Sequence, residues 1–198
     1  MLKFLLSLVV SVGLAVAPIL SYGSEFNNIR QATHLVTGEF GTCSGVMVAE
    51  GHMLTAAHCD QGILVVGVSP AKVLKKDEDA DLLLLKVDMG CPCVEIGEQP
   101  YVDDKVETIG FPLYGSIKLQ ILTEGRVQGI LPDRSKFYSM TSPIMFGNSG
   151  GGVFKDGKLV GIVSALFGDA LGGMFPFVVP HLAVAVRADV IKDFVNAR

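Results

Sequence analysis

The 198-residue sequence is poor in charge: only 18% of its residues are charged, whereas 49% are hydrophobic. Because disordered chains combine low hydrophobicity with high charge, this composition excludes a disordered tail and supplies material for a core. The 16 basic residues are scattered and the formal net charge is -4. Since nucleic-acid binding requires a basic patch or stripe, the sequence excludes a nucleic-acid partner.

Charge is nearly absent from the N-terminal stretch. Lys3 precedes an apolar run, Phe4–Leu20, and the small residues Ser21 and Gly23 suit a cleavage site. This arrangement predicts a signal peptide over residues 1–23 and an exported protein, either secreted or periplasmic. An uncleaved membrane anchor is the alternative, because the apolar run approaches the length of a spanning helix.

The remaining chain consists of short apolar stretches broken by glycine and proline. Ile63–Val68 and Leu82–Leu85 are continuously apolar, which is typical of strands buried on both faces. Turn-forming pairs occur at Glu50-Gly51 and Asp156-Gly157. These patterns predict an all-β fold.

Two segments depart from the strand pattern. Ala188–Val195 places its apolar residues on one helical face and predicts a short C-terminal helix over about 188–196. Met89–Tyr101 contains Pro92, Gly97 and Pro100, and it is the best candidate for a linker between two halves. The length suits one ordinary domain or two small halves that share a site.

A histidine lies in the motif TAAHC, at the end of the segment GTCSGVMVAEGHMLTAAHCD over residues 41–60. A strand, a turn and a second strand before this motif resemble the histidine region of trypsin-like peptidases. The resemblance implies that His58 is the general base. One ring nitrogen would face the nucleophile, and the other would face a carboxylate.

An aspartate precedes an apolar strand in the motif DADLLLLKV, residues 79–87. The motif resembles the aspartate region of the same family and implies that Asp81 orients the histidine and stabilises its imidazolium form. Asp77 and Asp79 belong to a charged loop, and we expect them to be solvated turn residues. The short interval between the two motifs implies trimmed loops in the first half.

A serine lies in a glycine-dense turn, FGNSGGGVF, residues 146–154. By the same resemblance Ser149 is the nucleophile, and the N–H groups of Gly147 and Ser149 form the oxyanion hole. Asn148 stands where trypsin-like zymogens have the aspartate that pairs with a new N-terminus. A glycine-rich turn alone is weak evidence, but three motifs in the order His, Asp, Ser are specific.

The resemblance covers about residues 33–196 and implies two packed antiparallel β-barrels within a peptidase domain over 24–198. We expect the first barrel at about 30–90 and the second at about 102–187. GNSGG and the compact length resemble the bacterial HtrA-type and glutamyl-endopeptidase-like branches, and we expect no PDZ domain after Arg198.

The four cysteines agree with export. The resemblance implies a disulfide between Cys43 and Cys59, which bracket the candidate base. Cys91 and Cys93 are left open: they could bridge each other, stay free or pair with another chain. A metal site is disfavoured because no suitably spaced histidine lies near Cys91, so we expect neither metal nor cofactor.

Substrate preference follows from the residues before the serine. Ile144, Met145 and Phe146 would line the pocket for the side chain preceding the cleaved bond, facing the strand that contains Ser164. None is acidic, so a substrate lysine or arginine would find no partner for its desolvated charge. We therefore expect cleavage after apolar or small residues, with glutamate as runner-up, and a role for Ser164 in offering backbone groups to extended substrate.

Three further expectations complete the sequence-based prediction. His181 could recognise an acidic side chain, although a structural or surface role is favoured. The apolar insertion Phe167–Val179 could be a lid, a membrane-facing loop or packing for the C-terminal helix. The protein would act on protein or peptide substrates as a monomer, and the alternative function is a catalytically silent binding protein on the same fold.

Overall fold

The structure is a computed structural model, and it describes residues 27–112, 119–166 and 181–197. The predicted signal peptide and the apolar insertion Phe167–Val179 lie outside the described residues. Within the described ranges, no helix has both the length and the apolar character needed to cross a membrane.

The first six strands close into an antiparallel barrel in the order β1-β2-β3-β6-β5-β4. Their bounds are β1 Thr33–Thr37, β2 Thr42–Ala49, β3 His52–Thr55, β4 Leu64–Val66, β5 Ser69–Asp77 and β6 Leu82–Lys86. Large apolar side chains such as Met53, Leu54 and Leu83 are fully buried inside it. Their burial accounts for the apolar runs in the sequence.

The next six strands close into a second antiparallel barrel in the order β10-β11-β12-β9-β8-β7. Their bounds are β7 Lys105–Gly110, β8 Ile121–Leu131, β9 Arg134–Met140, β10 Gly152–Lys155, β11 Lys158–Leu166 and β12 Ala183–Arg187. The predicted turn at Asp156-Gly157 joins β10 to β11, and both residues have positive φ, at 51° and 72°. Such a two-residue turn matches the twist of the flanking strands.

The two barrels share a hydrophobic core, in which Val46 of the first barrel packs with Ile109 and Phe154 of the second. The chain between β6 and β7 contacts both barrels. The N–H of Val94 donates to the carbonyl oxygen of Met47 in the first barrel at 3.0 Å, and Ile96 forms a parallel bridge with Leu159 in the second. The predicted linker is therefore held against both halves.

A C-terminal helix, Ala188–Asn196, closes the fold and buries Ile191 and Phe194. Lys75 of β5 reaches its last turn, where the ammonium group donates to the carbonyl oxygens of Phe194 at 2.6 Å and Ala197 at 2.8 Å. A cation at this end of a helix satisfies carbonyl groups that lack intrahelical partners. The first barrel thereby holds the helix that follows the second.

The predicted fold class, two antiparallel β-barrels with a short C-terminal helix, is confirmed. The prediction that Ile63–Val68 is a doubly buried strand is wrong at its ends, because β4 contains only Leu64–Val66. Ile63 is 69% exposed and Val68 is 97% exposed. The chain turns at the neighbouring glycines, Gly62 and Gly67, whose φ angles are 85° and 61°.

Candidate active site

His58 lies in a single 3₁₀ turn, Ala57–Cys59, directly after β3. The residues on either side of it are buried, whereas its own side chain is exposed. Cys59 forms a disulfide with Cys43 of β2, with a Cα–Cα distance of 6.2 Å. The turn is therefore tied covalently to the barrel, and the imidazole projects outward.

Asp81 holds the histidine through three hydrogen bonds. His58 Nδ1 lies 2.9 Å from Asp81 Oδ2 and 3.0 Å from Oδ1, and the backbone N–H of His58 donates to Oδ1 at 3.0 Å. Asp81 has a positive φ of 53°, a conformation that aspartate tolerates better than most residues. The turn before β6 thus aims the carboxylate at the imidazole.

The other two aspartates of this segment behave differently. Asp77 accepts the backbone N–H of Ala80 at 2.9 Å and forms an ion pair with Lys136 at 3.6 Å, so its carboxylate stabilises the turn. Asp79 is exposed in the same turn. Neither makes a hydrogen bond with His58 in the described part of the structure.

Ser164 of β11 contributes a contact that the sequence reasoning missed. Its hydroxyl donates to Asp81 Oδ2 at 2.5 Å, from the opposite barrel. Only a backbone role toward substrate was predicted for this residue. Because 83 positions separate the two residues, no local sequence pattern could have revealed the bond.

One cavity of about 340 Å³ is lined by the three predicted catalytic residues and the four predicted substrate-binding residues. Its lining consists of His58, Asp81, Ile144, Met145, Phe146, Ser149, Ser164, Ala165 and Leu166. Ile144 packs against the core of the second barrel, whereas Met145 and Phe146 are 52% and 54% exposed. The cavity is therefore apolar along its inner wall and open at its rim, and Asp81 is the only acidic residue among the described residues that line it.

The chain before Ser149 forms a tight turn. The N–H of Asn148 donates to the carbonyl oxygen of Met145 at 3.0 Å, and Gly147 has a φ of 100°, as the third residue of a type II turn requires. A Cβ atom on Gly147 would lie 2.4 Å from the carbonyl oxygen of Phe111. Only glycine fits this position.

Both predicted oxyanion donors lie in this turn region. Among the described residues, neither the N–H of Gly147 nor that of Ser149 donates to a backbone carbonyl. The flanking N–H groups are occupied: Asn148 donates to Met145, and Gly150 donates to Val163 at 2.8 Å. Within the described residues, these two N–H groups are therefore left without a backbone acceptor.

The cysteines carry two disulfides, and the second joins Cys91 to Cys93. Possible metal-ligand atoms of Cys43, His58 and Cys59 lie within 4.8 Å of one another. Cysteine binds metals as the thiolate, and the sulfur atoms of Cys43 and Cys59 are bonded to each other. These residues therefore do not fit a metal ion.

Two six-stranded barrels with a serine, a histidine and an aspartate at one cavity between them define the chymotrypsin-like class of fold. The family model of the trypsin-like peptidase domain matches residues 43–162, and the chain belongs to this family. The family predicted from the three motifs is thereby confirmed. No curated protein sequence matches the chain.

Solved structures of bacterial proteases share the fold. The serine endoprotease from Yersinia pestis aligns with a TM-score of 0.72 and 23% identity, covering 87% of this chain and 64% of that one. Rv3671c from M. tuberculosis H37Rv, an inactive serine-to-alanine mutant, aligns with a TM-score of 0.71 and 17% identity over 94% of this chain and 95% of that one. At these identities the likeness establishes the fold.

Proposed function

We propose that the protein is a serine endopeptidase that hydrolyses protein or peptide substrates through His58, Asp81 and Ser149. The observation that carries this proposal is the short contact between His58 Nδ1 and Asp81 Oδ2, 2.9 Å, at the cavity that Ser149 also lines. Membership of a peptidase family supports it.

The carboxylate determines how the histidine can act. With Nδ1–H donated to Asp81, the neutral ring presents Nε2 as an acceptor toward the cavity. Ser149 Oγ attacks the substrate carbonyl carbon, and its proton passes to Nε2. The carbonyl oxygen becomes an oxyanion, which the N–H groups of Gly147 and Ser149 stabilise.

Collapse of this intermediate breaks the peptide bond. The imidazolium of His58 returns the proton to the leaving amine, and the acyl group remains on Ser149 Oγ as an ester. A water molecule then attacks the ester while His58 takes the water's proton. The acid product leaves, and Ser149 regains its hydroxyl proton.

The apolar wall of the cavity supports a preference for apolar or small side chains before the cleaved bond. Ile144, Ala165 and Leu166 offer no charge to a substrate cation, and burying an unpaired charge costs several kcal/mol. Glutamate is the second choice. Ser164, which also lines the cavity, would contact extended substrate through its backbone.

We also propose that the mature protein is exported as a monomeric domain over 24–198, after removal of residues 1–23. Two disulfides support an oxidising compartment, because such bonds are rare in the cytosol. Neither a nucleic acid nor a cofactor takes part in the proposed reaction.

Labelling with a fluorophosphonate tests the proposed function directly. We expect one covalent adduct on Ser149 by mass spectrometry, and no adduct in Ser149→Ala or His58→Ala. Correctly folded protein that takes up no label would overturn the proposal and favour the catalytically silent binding protein.

A further inference from the structure

Ser44 of β2 is fully buried and lies directly after Cys43. Its hydroxyl donates to the carbonyl oxygen of Gly147 at 2.8 Å and accepts the backbone N–H of Phe111 at 2.8 Å. Its own backbone N–H donates to the carbonyl oxygen of Ser149 at 2.7 Å. One residue of the first barrel thus binds the nucleophile turn at two points.

These bonds hold the peptide units next to both oxyanion donors. The peptide between Gly147 and Asn148 is bound at its oxygen by the Ser44 hydroxyl and at its nitrogen by the carbonyl oxygen of Met145. The peptide after Ser149 is bound at its oxygen by Ser44 N–H and at its nitrogen by Val163. A peptide plane bound at both ends cannot rotate without breaking two hydrogen bonds.

The hydroxyl of Ser44 has no freedom to exchange its partners. A hydroxyl has one proton to donate, and here the proton goes to Gly147 while a lone pair accepts from Phe111. Losing the hydroxyl would leave the buried carbonyl oxygen of Gly147 and the partly buried N–H group of Phe111 without this partner. Such groups regain hydrogen bonds by moving, and the turn is the segment that can move.

We propose that Ser44 is a positioning residue for the oxyanion hole. Its hydroxyl fixes the Gly147–Asn148 peptide, which adjoins the peptide that carries the Gly147 N–H group, and so restricts the backbone torsions of Gly147 that orient this N–H group. The expected effect on catalysis rests on the proposed function, whereas the hydrogen bonds of Ser44 do not depend on it. It also explains how a turn with the uncharged Asn148 keeps its geometry without a buried ion pair. The Cys43-Ser44 dipeptide thereby holds the histidine turn covalently and the serine turn by hydrogen bonds.

Ser44→Ala tests the catalytic consequence, with Thr33→Val as a matched control. Thr33 is also buried, and its hydroxyl donates to the carbonyl oxygen of Ile29 at 2.9 Å, away from the cavity. We expect Ser44→Ala to lower kcat by about 10- to 100-fold, below the 10²–10³ that follows loss of a whole oxyanion donor, with KM changed less than about threefold. The control should keep kcat within about twofold.

The pH profile separates positioning from general damage. Ser44 makes no hydrogen bond with His58 among the described residues, so the acidic limb of kcat/KM should keep its midpoint in Ser44→Ala. A kcat equal to that of the control, or a loss confined to KM, would overturn the proposal.

Backbone hydrogen exchange measured by NMR supplies a readout that does not need activity. The amides of Phe111 and Asn148 should exchange at least about tenfold faster in Ser44→Ala than in wild type, and Thr33→Val should leave both unchanged. Unchanged exchange at both amides would overturn the positioning role. If the wild-type protein is not labelled by the fluorophosphonate and cleaves no peptide, the proposed function fails. The exchange rates still decide whether Ser44 holds the turn.

Discussion

The Ser164 hydroxyl, which belongs to the second barrel, donates to the carboxylate of Asp81, which belongs to the first, across 2.5 Å. Together with the two contacts from the His58 ring and the bond from the His58 backbone N–H, this contact occupies both carboxylate oxygens. Asp81 is thus a junction between the barrels, and its side chain is only 15% exposed. Substituting Asp81 and, separately, a neighbouring aspartate therefore tests whether Asp81 is the catalytic carboxylate.

Replacing Asp81 with asparagine should lower kcat by about 10⁴, because the amide would favour the wrong histidine tautomer. Asparagine also tolerates positive φ, so the turn should keep its backbone. Ser149→Ala should lower kcat by about 10⁶. Asp79→Asn is the control, measured on the same peptide, and a crippled Asp79→Asn with a mild Asp81→Asn would reverse the carboxylate assignment.

Cleavage of a mixed peptide library should occur after apolar or small residues. The cavity wall at Ile144, Ala165 and Leu166 carries no charge, so lysine and arginine should be poor substrates at this position. Sequencing the products by mass spectrometry gives the preference, and Ser149→Ala serves as the blank. A dominant preference for basic residues would refute the description of the cavity.

Removing the Cys43–Cys59 disulfide with paired alanines should lower the free energy of unfolding by about 3 kcal/mol, since it closes a long loop. kcat should also fall, because Cys59 anchors the turn that carries His58. The matched double variant, Cys91→Ala with Cys93→Ala, removes a disulfide that closes a much smaller loop. It should lower the free energy of unfolding by about half as much. Urea unfolding measures both, and equal costs would contradict the loop-entropy explanation.

An N-terminal extension should not affect activity. Asn148 has no charge with which to hold the buried ammonium group that activates trypsin-like zymogens, and an unpaired ammonium would cost several kcal/mol. We expect equal kcat/KM, within about twofold, for a chain that begins at Ser24 and for the same chain behind a tag. Activity that is lost on extension and regained when the tag is cleaved would show that a free terminus is needed.

Acid should weaken the contact between Asp104 and Lys155. The hydrogen bond from Lys155, at 2.5 Å, and that from the backbone of Tyr101 hold the pKa of Asp104 below its ordinary value. Folding therefore favours the charged carboxylate, so its contribution is complete above the ordinary carboxyl pKa and is lost as pH falls through the lower folded value. Asp104→Asn should have a lower unfolding free energy than wild type at pH 7, and the difference should shrink as pH falls below the ordinary carboxyl pKa. A gap that is independent of pH would contradict this coupling.

Much of the fold could be predicted because strand and turn signals are local. The pair Asp156-Gly157 predicted a turn from two adjacent residues, and the structure places a two-residue hairpin there. The ends of the Ile63–Val68 segment were mispredicted because its composition is uniformly apolar. Whether an apolar residue is buried depends on where the chain leaves the strand. Here Gly62 and Gly67 have positive φ, and the residues next to them, Ile63 and Val68, are exposed.

The sequence by itself determined the family, the order of the candidate catalytic residues and the glycines that the serine turn requires, because each lies within a short motif. Only the tertiary structure decided which residues support that site. Ser44 lies 103 positions from Gly147, and Ser164 lies 83 positions from Asp81. A serine hydroxyl can bond to any donor or acceptor that the fold brings within about 3 Å. Its partner is therefore set by barrel closure and packing, and the residues adjacent to it in the sequence do not reveal it.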